Sequence, residues 1–204
     1  MKSYSYDSLC QRIGRMPNWK VAALCAVCAD KVTPIIAGLG LPSTWHLVET
    51  CLEFVWTSVA HATETEDSLQ LIQALEATPE WECEDSSYLP FVVTKALDFV
   101  GFALRAASSH SPKELAEKAL SLLAEVAENF DTSTTRFPDE QTIKSLGVQL
   151  RNSEELSQER LISTLESATS PTSQFITALR QEATSVSELF KKLLPIYCYY
   201  YVQG

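Results

Sequence analysis

Asn18-Trp-Lys-Val-Ala-Ala-Leu-Cys-Ala-Val-Cys-Ala-Asp-Lys-Val-Thr-Pro-Ile-Ile-Ala-Gly38 is the stretch from which the fold of this 204-residue chain is read. Its apolar set Trp19, Val21, Ala22, Ala23, Leu24, Ala26 and Val27 covers nearly the full circumference of a helical wheel. A helix that apolar on every side is the central member of a bundle, buried by its neighbours. Pro34 is expected to kink or end it, and Gly38 and Gly40 to close it.

The flanking sequence supplies those neighbours. Ser43 reads as the N-cap of a helix running to about Thr63, with Leu47, Val48, Cys51, Leu52, Val55, Trp56 and Val59 at three- and four-residue spacing. Further helices are expected at about 66–78, 87–108, 111–130, 139–150, 153–168 and 171–194. Ser111-Pro112 and Ser170-Pro171 are the clearest starts, with Pro at the first helical position. Alternating strand patterns are absent except at the Tyr-rich end, Ile196 to Val202. The class is therefore all-α, a multi-helix bundle of about eight helices. The chain reads as a single domain, with a candidate subdomain boundary in the polar segment 131–139.

Composition bounds the rest. A hydrophobic content of 46% in 204 residues is enough for a sizeable core. No run approaches the roughly 20 uninterrupted apolar residues of a membrane span, and no basic segment followed by an apolar run opens the chain, so a soluble cytoplasmic protein is expected. The cysteines at 10, 25, 28, 51, 83 and 198 lack the regular spacing of a disulfide framework and read as free thiols. Cys25-Ala-Val-Cys28 has the spacing of a redox or zinc pair, but it lies inside the most apolar helix and is better read as core.

Charge is distributed unevenly. Between Lys31 and Lys95 there is no Lys or Arg, while ten acids fall there: Glu49, Glu53, Glu64, Glu66, Asp67, Glu76, Glu80, Glu82, Glu84 and Asp85. These ten account for the formal net charge of -10, because the other 16 acids balance the 16 bases. A field of that sign draws a basic partner and repels nucleic acid. The segment Thr78 to Ser87 reads as an exposed acidic loop in which Trp81 stands among Glu80, Glu82, Glu84 and Asp85. An aromatic anchor ringed by charge suits protein recognition, while folding back onto the bundle as a loop staple is the favoured reading of the same residue. The candidate partner-binding residues are Glu49, Glu53, Glu80, Trp81, Glu82, Glu84 and Asp85.

Signatures of catalysis are missing. There is no Gly-rich phosphate loop, no Gly-x-Ser-x-Gly elbow and no His-Glu-x-x-His pair, and only three histidines occur. His46, Glu49 and Glu53 share one helix face and would need Asp98 or Glu76 from a facing helix to hold a metal. The repeated Glu-x-x-His of carboxylate-bridged bundles is not there, so the stripe reads as a solvated face. No catalytic residue, metal or cofactor is expected.

Two motifs carry a resemblance. Trp19-x3-Ala-Leu-Cys-Ala-x2-Ala-Asp-Lys-x2-Pro34 and Leu52-Glu-x2-Trp56 resemble the YjaG-like group of helical bacterial proteins, with weaker likeness at Glu84-Asp-Ser86, Ala96 to Ala106 and Glu154 to Leu165. Asp30-Lys31 stands where that group commonly has an acid followed by Arg. The resemblance spans about residues 15–165 and implies a helical fold, with no catalytic motif to transfer. Similar small acidic helical proteins serve as immunity partners in bacterial toxin systems. The functional expectation is an immunity protein or inhibitor that occludes a basic toxin or effector, without membrane or nucleic-acid binding. The alternative is a helical adaptor or homo-oligomeric scaffold that associates through the Tyr-rich terminus.

Overall fold

The structure, a computed structural model, describes residues 6–62, 68–82, 88–108, 112–134 and 141–202. For 88–90, 129–134, 141–144 and 197–202 it describes the backbone path alone. Among the described residues eight helices follow in order: α1 Tyr6–Ile13, α2 Asn18–Leu39, α3 Pro42–His61, α4 Ser68–Glu76, α5 Tyr88–Ser108, α6 Lys113–Thr134, α7 Gln141–Ser167 and α8 Ser173–Val202. No strand occurs among the described residues, so the all-α bundle expected from the sequence is the observed fold.

α2 is the axis. It packs against α5 and α8 most extensively and also touches α3, α6 and α7. Every residue from Lys20 to Ala29 is buried, as the all-round apolar pattern requires. By length and composition α2 passes for a membrane span, with a mean hydropathy of 1.6 over its most apolar window, yet 78% of that window is buried in the bundle. Its lysines are anchored within the protein: Lys20 Nζ donates to the Glu166 carbonyl at 3.1 Å, and Lys31 Nζ donates to both Glu154 oxygens at 2.9 and 3.1 Å.

Pro34 does not end the helix. A proline there removes the N–H that would bond to the carbonyl of Asp30, and the Thr33 hydroxyl donates to that carbonyl at 2.8 Å instead. α2 continues to Leu39, and the Gly40 N–H closes it on the Ile36 carbonyl. A Cβ on Gly40 would lie 2.7 Å from that same carbonyl oxygen, which is why a residue without a side chain stands at the turn.

Several boundaries differ from the sequence reading. α1 was not foreseen; it is an eight-residue helix held to α7 by Arg12, which donates to Glu166 at 2.7 and 2.9 Å and to Ser163 at 2.9 Å. The two helices expected at 139–150 and 153–168 are one continuous helix, α7. The Tyr-rich end is helical, since α8 runs through Pro195 to Val202. Tyr suits helix and strand alike, so its type alone does not separate the two states. The eight predicted helices and the eight observed ones agree in number because one addition offsets one merger.

Candidate functional site

Among the described residues the acidic sector places Glu80 and Glu82 in the turn after α4, Glu76 on α4, and Glu49 and Glu53 on α3. The inner stripe of α3, made of Val48, Cys51, Leu52, Val55, Trp56 and Val59, is buried, which turns His46, Glu49 and Glu53 outward at the complementary spacing. Glu49 is 53% exposed and lies 3.7 Å from His46, a solvated pair. Glu53 and Glu82 are also exposed.

Glu80 is placed otherwise. Its Oε1 accepts the Leu41 N–H at 2.7 Å and its Oε2 accepts the Thr44 hydroxyl at 2.8 Å. Leu41 is the N-cap of α3, and its side chain cannot cap; Ser43, expected as the cap, lies inside the first turn. The carboxylate of Glu80 therefore does from a distant loop what a capping-box glutamate does locally, at the helix end where negative charge is favoured. The Glu80 carbonyl in turn accepts the Thr94 hydroxyl at 2.8 Å, which ties the turn at 78–82 to α5.

Trp81 is half-buried and packs against the core. Its ring edge lies 3.1 Å from where a Cβ of Gly101 would stand, so the missing side chain on α5 makes its seat. Beside it, Arg105 pairs with Glu76 across α5 and α4. The described half of the acidic loop is thus a structural staple, and an exposed reading of Glu80 and Trp81 gives way to that placement. Glu84 and Asp85 lie outside the described residues. Of the seven candidate residues, Glu49, Glu53 and Glu82 stand on the surface.

The acids named for the metal alternative have other partners. Glu76 is engaged by Arg105, Asp98 lies 3.6 Å from Lys95, and among the described residues no three His, Cys, Asp or Glu side chains converge. Cys25 and Cys28 are fully buried free thiols. Burial pushes Cys25 well above the ordinary thiol value and Cys28 up to about 12, which disfavours the reactive thiolate at both.

A second polar centre sits on α2. Asp30 Oδ2 accepts the Trp56 Nε1–H at 3.1 Å, and Arg180 Nε of α8 stands 3.7 Å from the same oxygen. The Arg180 guanidinium also lies 5.8 Å from the centre of the Trp56 ring. Burial raises the Asp30 carboxyl from its usual value to about 6, against the opposing pull of Arg180 and the Trp56 hydrogen bond. On the neighbouring residue, Lys31 and Glu154 form an ion pair whose side chains are 0% and 2% exposed. The motif residues Asp30, Lys31, Trp56 and Glu154 therefore meet in two adjacent networks that join α2 to α3, α7 and α8.

A search of solved structures gives the fold a counterpart. A DUF416 family protein from Shewanella baltica OS155, determined by crystallography, superposes with a TM-score of 0.66 over 86% of this chain and 93% of the other, at 14% sequence identity. At that identity the likeness is one of fold. No family model matches the chain, and no curated protein is significantly similar to it.

The sequence reading named the acids of the 49–85 sector and passed over Asp30 and Arg180 as a pair. Asp30 was visible as a charge inside an apolar helix, the one signal that could have raised it. Arg180 lies 150 residues away in a helix whose face only packing could orient.

Proposed function

We propose that this chain is a non-enzymatic helical protein that binds and occludes a basic protein partner, in the manner of an immunity protein facing a cognate cationic toxin or effector. One observation carries the reading: the outward face of α3 presents Glu49 and Glu53 within a span of sequence, 32–94, that holds no Lys or Arg. Such a single-sign face accelerates encounter with a cationic surface and sets its orientation. Steric cover of the partner's cationic cleft is the mechanism.

The test starts from the tagged chain in a lysate of its source organism, followed by salt-step elution and reconstitution with the purified partner. A stoichiometric basic protein is expected, released by salt. Replacing Glu49, Glu53 and Glu82 together by Gln should weaken binding about tenfold or more and flatten its salt dependence. Unchanged affinity removes this surface from the reading. Recovery of the bait alone, as an oligomer by light scattering, favours a homo-oligomeric scaffold instead.

A further inference from the structure

We propose that the cleft between α2 and α8 binds a small zwitterion of the free amino acid class, its ammonium held by Asp30 and its carboxylate by Arg180. The cleft has a volume of about 460 Å³, is open to solvent, and is lined by Asp30 and Thr33 of α2 and by Thr177, Arg180, Gln181 and Ser187 among the residues of α8. That size falls in the range of small-molecule sites and leaves no room for a folded partner.

The two charged groups are under-satisfied in complementary ways. The Asp30 side chain is 13% exposed; its Oδ2 takes the bond from Trp56, and among the described residues no donor reaches its Oδ1. Arg180 stands 3.7 Å away, beyond good hydrogen-bond length, and among the described residues no carboxylate lies closer to its guanidinium. Its side chain is 50% exposed, and its guanidinium lies 5.8 Å from the centre of the Trp56 ring. The raised Asp30 carboxyl agrees with a desolvated anion that lacks a full complement of donors.

Charge selects the ligand class. A simple anion drawn to Arg180 would meet Asp30, and a simple cation drawn to Asp30 would meet Arg180. A molecule carrying an ammonium and a carboxylate on one carbon satisfies both at the spacing the pair already holds. Gln181 and Ser187 then offer an amide and a hydroxyl to the remaining polar atoms. This site shares no residue with the α3 face, so it stands or falls apart from the partner reading.

The full chain would be titrated with each of the twenty L-amino acids at millimolar concentration, read by thermal shift and then by calorimetry. At least one is expected to raise the melting temperature, and its N-acetyl and carboxamide derivatives should each bind about tenfold weaker or worse. Asp30→Asn and Arg180→Met should each cause the same loss; Arg180 is half-exposed, so that variant folds even if the first does not. Lys191→Met, exposed on the same helix and paired with Glu188, should leave affinity unchanged. The proposal is overturned if no amino acid shifts the melting temperature, if the acetylated ligand binds as well as the free one, or if Arg180→Met retains full affinity.

Discussion

Lys31 and Glu154 are the pair on which a residue-scale account is most easily tested. Both charges are removed from water, and their mutual attraction, with two hydrogen bonds at 2.9 and 3.1 Å, offsets that desolvation. Removing one partner strands the other. Glu154→Ala should therefore cost about 3–5 kcal/mol of stability in urea denaturation, while Lys31→Met with Glu154→Leu should recover most of the loss. A single variant as stable as the parent would show that the pair contributes no net stability to the fold. The sequence placed Lys31 beside Asp30 inside an apolar helix but could not name the partner. Glu154 lies 123 positions on, and nothing in local periodicity marks it as an inward face of α7.

At the scale of elements, α3 shows how ends are decided by neighbours. Its start has no capping side chain of its own, and Glu80 completes it from the α4–α5 connection. Its end is closed by Ala62 at φ 50°, in the left-handed region, with its N–H bonded back to the Ser58 and Val59 carbonyls. A Cβ in that region is strained, and glycine relieves it. Ala62→Gly is expected to stabilise the protein by about 0.5–1 kcal/mol, read as a raised melting temperature. A lowered one would mean that the gain in backbone freedom of the unfolded chain exceeds the strain relieved. The helix itself was legible, because its apolar residues recur at the right spacing. Its ends were not, because Leu41 and Ala62 carry no capping signal and depend on contacts and strain that arise only in the folded chain.

Across the whole molecule, α2 reaches helices from both sides of the candidate boundary at 131–139: α3 and α5 before it, α7 and α8 after it. A shared axis couples their unfolding. Urea transitions followed by far-ultraviolet circular dichroism and by tryptophan fluorescence should coincide in one step. Two separated transitions would show that α7 and α8 unfold independently. The apolar circumference of residues 18–38, the three- and four-residue spacing of the helices around it and the sign of the 32–94 sector were fixed by the order of residues, because they depend on periodicity and charge within short windows. The seating of Trp81 on Gly101, the capping of α3 by Glu80, the Lys31–Glu154 pair and the Asp30–Arg180 cleft join residues between 20 and 150 positions apart. They belong to the packing of helices against one another, where each side chain's face is set by its neighbours and not by its own segment.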